Sequence, residues 1–239
     1  MGVDLLDDEL NPVTVGCDIG QIHDNSALCV AEVIERETGK YRQGVPPQRA
    51  YVDGIGFFHK AVDAQPVMES HYTVRHLERV PLGTSYPDVA VRIADILCNP
   101  IFAHRQVRCL IDVTGVGRAI YDDVRREISA RQEAQHVLIK PITFTSGMKY
   151  NRGTGMLAKA YLVSRLQSLL QRGVVHAPQT AETKALLEEL RVYQIKVDQD
   201  GHDSYGAMSV GQHDDLATCL GLACLEDPFA DRIRYAQWY

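Results

Sequence analysis

The chain has 239 residues, 45% of them hydrophobic and 23% charged, enough for one sizeable core and at most two small ones. A net charge of -6 argues against a protein that grips nucleic acid unaided through a broad basic face. It leaves room for an enzyme that touches DNA briefly, or for an acidic site that collects divalent cations. No apolar stretch approaches the roughly 20 residues that span a bilayer, and the polar opening MGVDLLDDELNP is no signal peptide, so no membrane is expected.

In chain order, PVTVGCDIG reads as a short β-branched strand stopping at a glycine, QIHDN as a turn, and SALCVAEVIER as a returning strand. ETGK and GVPPQ are turn signals that end it, and RAYVDGIGFFHKAV is the third strand expected of an antiparallel meander. VAVRIADIL then switches to helical spacing and is closed by Pro100. QVRCLID is a compact strand ending in Asp112, TGVG a turn, RAIYDDVRREI a helix and HVLIKPITF the next strand. TSGMKYNRGTG is a Gly-rich basic loop before the helix MLAKAYLVSRLQSLLQRG; a short strand VVHAP and the helix AETKALLEELRVY follow. QIKVDQDGHDSYGAM is expected to be a hairpin turning at Asp200-Gly201. The last helix opens with His213, Asp214 and Asp215. Meander first and crossovers after imply an α/β fold with a mixed sheet and helices on both faces. Six cysteines without a C-x-x-C pair are expected to be buried free thiols of a reducing compartment.

Asp18 ends the first strand and Asp112 the fourth. If these strands are parallel neighbours, both carboxylates sit at the end of the sheet where α/β folds bind ligands, and the final helix can bring Asp214 and Asp215 beside them. Acids at a helix start have a plain role as caps and dipole partners. Three or four carboxylates in one place, however, repel each other unless cations lie between them. Hard oxygen ligands suit Mg²⁺ or Mn²⁺, and a pair of such ions activates water and stabilises the leaving oxygen of a phosphodiester.

The ordered set VGCDIG…DNSALCV, CLIDVTGVGRAIYDDV, LAKAYLVSRLQSLLQRGVVHAP and GQHDDLATCLGLA resembles the nuclease domain of the large terminase subunit of tailed phages, from about Val13 to Glu226. The resemblance implies a ribonuclease H-like fold and a metal-dependent endonuclease that cuts double-stranded viral DNA during genome packaging with two Mg²⁺ or Mn²⁺ ions. It further implies that Asp18 bridges both ions, that Asp112 binds one, and that an aspartate at the last helix start binds the other. Adjacent helical residues point about 100° apart, so Asp214 and Asp215 both stay candidates. The family also implies an ATPase motor domain as partner, the small terminase subunit and the portal as further partners, and work in the host cytoplasm and transiently at the procapsid portal. This chain carries no G-x-x-x-x-G-K-[ST] phosphate loop. The expected division is therefore a linker or start over 1–12, the nuclease domain over 13–228 and a C-terminal tail over 229–239, either as an excised C-terminal domain or as a free-standing nuclease.

Arg118, Lys140, Lys149, Arg152 and Lys159 are candidate phosphate contacts, the last four in or around the Gly-rich stretch; a solvated loop is the plain alternative. Lys159 and Arg165 otherwise line the polar face of their helix. Asp24 and His213 are candidate supports for metal or water; the alternatives are a turn residue and an exposed loop histidine. Tyr193 and the hairpin reaching Tyr205 are a candidate device for engaging DNA. The competing functions are a Holliday-junction resolvase-like nuclease, an actin-like kinase fragment and a non-catalytic packaging module.

Overall fold

The computed structural model describes residues 11–20, 24–44, 48–52, 55–59, 64–115, 117–131, 137–199 and 214–230, without the side chains of 48–59 and 192–199. Ten strands and five α-helices are described, with a short 3-10 helix over Pro100–Phe102. They are β1 (Val13–Asp18), β2 (Ala27–Arg42), β3 (Gln48–Val52), β4 (Ile55–His59), β5 (Gln65–Arg79), α1 (Tyr86–Leu97), β6 (Val107–Asp112), α2 (Gly117–Ser129), β7 (Val137–Thr145), β8 (Tyr150–Asn151), β9 (Met156–Ala158), α3 (Lys159–Gln171), β10 (Val175–His176), α4 (Ala181–Gln199) and α5 (Asp215–Ala223). Eight strands form one sheet in the order β10-β5-β2-β1-β6-β7-β9-β8, and β3-β4 is a separate hairpin. β1 is antiparallel to β2, and β2 to β5, while β6 runs parallel to β1 and β7 parallel to β6. An antiparallel meander continued by parallel crossover strands is the mixed sheet of the ribonuclease H-like fold.

Alternation along the central strands builds two cores. Val13, Val15 and Cys17 of β1 join Leu28, Val30, Val107, Cys109 and Ile111 under the apolar stripes of α1 and α2. The opposite face carries Ala27, Cys29, Ala31 and Leu110 and is covered by α3, α4 and α5. α1 starts where the sequence signals it: the Ser85 hydroxyl accepts the Asp88 backbone N–H at 3.3 Å, with proline in the first turn. All six cysteines are free and buried, as expected. Among the described residues no helix is long and apolar enough to cross a membrane.

Two expectations are corrected. The third meander strand is Gln65–Arg79, and RAYV…FFH is instead the β3-β4 hairpin, with Val52 opposite Ile55. The Asp53-Gly54 dipeptide between those strands is itself a hairpin signal. β5 escaped notice because its buried residues, Ser70, Tyr72, Val74 and Leu77, alternate with Glu, His and Arg rather than forming an apolar run. ETGK does not end β2; Gly39 takes a positive φ of 73° and the pairing with β5 slips register between Glu37 and Tyr41, so the strand absorbs the turn signal as an irregularity. Smaller shifts follow the same logic. The basic loop contains β8, Met156–Ala158 forms β9 before α3 begins, and Gln194–Gln199 of the expected hairpin is helical in α4. Asp200-Gly201 and Tyr205 lie outside the described residues.

α5 packs on β1 at backbone contact. A Cβ on Gly16 would lie 2.0 Å from the Cys219 carbonyl oxygen and 2.5 Å from the Ala223 nitrogen, so only glycine admits the helix at this depth. Gly16→Ala is expected to cost at least about 1–3 kcal/mol, the range for overpacking, as α5 is pushed off the strand. Urea unfolding followed by circular dichroism checks it.

A carboxylate cluster at the end of the sheet

Strand register alone assembles most of the site. Asp18 lies opposite Ala27, and Ala27 opposite Arg79. On the other side Cys17 pairs with Ile111 and Asp112 with Ile142, which leaves Asp18 and Asp112 side by side at the carboxyl ends of parallel neighbours. Both have the same parity as Gly16 and Leu110, and therefore face α5. Asp112 is buried, and its Oδ1 accepts the Thr114 backbone N–H at 2.8 Å. That bond fixes the carboxyl group at the mouth of the turn. Gly117, where a Cβ would lie 2.3 Å from the Asp112 carbonyl oxygen, lets α2 start directly beneath.

α5 supplies the remaining acids, and they divide. Asp214 occupies the N-cap position yet makes no capping hydrogen bond; its Oδ2 instead meets Lys159 Nζ at 2.5 Å. Asp215 is buried and accepts Arg79 Nε at 2.9 Å. One α5 N–H is served from α4: Glu189 Oε2 accepts the Ala217 N–H at 2.8 Å while Oε1 is ion-paired with Arg79. Asp214 stands at the cap position without capping the helix.

The electrostatics carry the signature of crowded acids. Burial pushes the Asp18 carboxyl well above the usual carboxylate range, and the charges of Asp112, Asp214 and Asp215 push it further, against the opposing pull of Lys159. Asp112 is raised by burial and by Asp214, offset by its Thr114 hydrogen bonds and by Lys159. Arg79 pairs with Asp215 and Lys159 with Asp214, and the charge of Lys159 also acts on Asp18 and Asp112. The oxygen donor set matches Mg²⁺ or Mn²⁺ in kind. Among the described residues no three His, Cys, Asp or Glu side chains already stand as a metal-holding group.

The other candidates lie elsewhere. Lys140 and Arg152 converge on Glu226, at 2.6 and 3.6 Å, with the Tyr150 hydroxyl on the same oxygen. Glu226 follows the far end of α5, about 13 Å along the helix by its rise, and these cations hold its carboxyl below the usual range despite burial. Arg118, Lys149 and Asp24 are exposed, and His213 lies outside the described residues. Arg165 turns inward: its Nε donates to the Cys224 carbonyl at 2.7 Å, at the end of α5. Arg79, Glu189 and Glu226 were not singled out from sequence. Glu189 sits in an amphipathic helix among exposed acids and lysines, and only its contact with α5 separates it from them.

No family model and no curated protein matches the chain. Solved terminase nucleases resemble it in fold. The large terminase nuclease from thermophilic phage G20c is 20% identical, covering 89% of this chain and 81% of that one, with a TM-score of 0.49. The human cytomegalovirus terminase nuclease domain, Mn soaked, is 13% identical, covering 96% and 90%, with a TM-score of 0.47.

Burial raises the Glu189 carboxyl to about 7, above its ordinary 4.5, although the Ala217 N–H and Arg79 pull it down. A carboxyl raised on folding binds more protons in the native than in the unfolded state between those two values. Stability should therefore fall as pH rises from 4.5 to 7, by at most about 3 kcal/mol from this group. Glu189→Gln should flatten that slope, as read from urea midpoints across the interval.

Proposed function

We propose that the chain is a divalent-metal-dependent endodeoxyribonuclease, the nuclease domain of a phage DNA-packaging terminase, hydrolysing phosphodiesters of double-stranded DNA. What supports this reading is that β1, β6 and the start of α5 carry Asp18, Asp112 and Asp214 to one edge of the sheet, near enough for their charges to raise the carboxyls of Asp18 and Asp112. The ordered motifs around these residues, which resemble those of large terminases, support the same assignment.

In this proposal Asp18, Asp112 and Asp214 would hold two Mg²⁺ or Mn²⁺ ions, and Asp215 is assigned to the Arg79–Glu189 pair instead. Such ions, when bound, would acidify water and steady the charge on the leaving oxygen. The chain's own contribution is placement. The Thr114 N–H holds Asp112, the Arg79–Asp215 and Glu189–Ala217 contacts hold the α5 start, and partly exposed Lys159 stands where a phosphate approaches. The products are 5′-phosphate and 3′-hydroxyl ends. The proposed partners are duplex DNA, an ATPase motor domain, the small terminase subunit and the portal, in the host cytoplasm and at the procapsid.

Plasmid nicking in Mg²⁺ or Mn²⁺ tests the assignment. Asp18→Asn, Asp112→Asn and Asp214→Asn should each lower the rate by about 10²–10³-fold or more, on the scale of losing one preorganised charge-stabilising group, and chelator should abolish it. Asp215→Asn should act chiefly on stability. An Asp18→Asn protein that nicks at the normal rate overturns the nuclease reading.

A further inference from the structure

Lys159 occupies a position that local energetics disfavour. It is the first residue of α3, whose first turn holds no acidic side chain and whose N-cap, Ala158, makes no side-chain hydrogen bond. A cation there meets the positive end of the helix dipole. The backbone under it is nonetheless firmly fixed. Leu157 and Ala158 are buried, β9 pairs in parallel with β7 from Thr143 to Thr145, and the Ala158 N–H donates to the Lys149 carbonyl at 2.9 Å. The side chain leaves this base about one-third exposed and ends on Asp214, its Nζ 6.0 Å from the centre of the Phe144 ring. Its charge also acts on both Asp18 and Asp112. A rigid stem thus delivers an ammonium to Asp214, within electrostatic reach of Asp18 and Asp112, with its flank open to solvent.

Building on the nuclease reading, we propose that Lys159 is the resident counter-ion of the cluster: a divalent cation displaces it from Asp214, and the released ammonium takes a phosphate of the DNA. Ammonium and metal compete for the charge of Asp214, so each weakens the other's hold on it. A phosphate that holds Lys159 away removes the competitor, so DNA and metal strengthen each other's binding by the same factor. The site is thereby weakly loaded until duplex arrives, and cutting is tied to the presence of substrate.

The test reads metal binding and stability rather than nicking. Mn²⁺ is titrated by calorimetry into the whole chain and into its Lys159→Met, Lys159→Arg and Asp18→Asn variants, and each is melted in chelator and in saturating Mn²⁺. Lys159→Met should bind Mn²⁺ about tenfold tighter, within the usual range of coupling between sites. It should also melt lower than the parent in chelator, with the gap closing in Mn²⁺. Lys159→Arg should stay close to the parent. A Lys159→Met chain that folds only with Mn²⁺ supports the proposal equally. Unchanged or weaker Mn²⁺ binding by Lys159→Met, with binding lost in Asp18→Asn, overturns the counter-ion proposal and leaves the nuclease reading standing. If Asp18→Asn binds Mn²⁺ as the parent does, both fall together.

Discussion

The arrangement depends on one packing constraint, the contact of α5 with β1 where Gly16 leaves no side chain between them. A helix over a sheet normally rides on a layer of side chains. Here the Cys219 carbonyl and the Ala223 amide reach the strand backbone, and Gly221 repeats the device against Leu162 of α3, where a Cβ would lie 2.9 Å from Cγ. The apolar body of α5, with Leu216, Leu220 and Leu222 fully buried, secures this depth. Burying a leucine contributes roughly 1.5–3 kcal/mol, so the core offsets the cost of gathering acids at the helix start. The strand and the helix then bring Asp18 and Asp214 to the same edge without any loop having to place them.

The second constraint is charge. Neighbouring acids at the start of one helix cannot both enter the same pocket cheaply, and the fold gives them different partners. Arg79 comes from the end of β5, one strand beyond Ala27, whose small side chain leaves the guanidinium a path to Asp215 and Glu189. Lys159 comes from the opposite side, off β9. Asp215 and Glu189 therefore belong to a buried ion-pair group that fixes the helix, while Asp214 pairs with Lys159. Breaking such a group from one side leaves an uncompensated buried charge, which is why Arg79 belongs to the site although it touches none of the three clustered acids.

Much of this was legible in sequence, for identifiable reasons. Asp18 and Asp112 each close a compact apolar strand, and parallel pairing of those strands makes them neighbours. The acidic opening of α5 was visible because it precedes an apolar helix. Long-range partners were hidden. β5 looks polar because one side of it carries His71, Arg75 and His76, and nothing local marks Arg79 as the residue that crosses to α5. Lys140 and Arg152 are candidate phosphate contacts or solvated loop residues by sequence; in the fold both meet Glu226, an acid some seventy to ninety positions away in the chain. Charge patterning shows that a side chain is ionised; only the fold shows which opposite charge it faces.

That distinction bears on how such a chain would hold DNA. Several of its cations are engaged internally: Arg75 and Arg105 with the fully buried Glu32, Arg92 with Glu78, Arg172 with Glu69, and Lys140 and Arg152 with Glu226. Affinity for a duplex scales with the phosphates neutralised, and each internal pair removes a cation from that count. A net charge of -6 adds a general repulsion. On the proposed reading the catalytic edge therefore contributes little grip and much selectivity: Lys159 becomes free to meet a phosphate only as the carboxylates find another cation. On that same reading most of the grip on a duplex comes from outside this edge, and the charge arrangement that makes the edge a poor binder would also restrain its cutting.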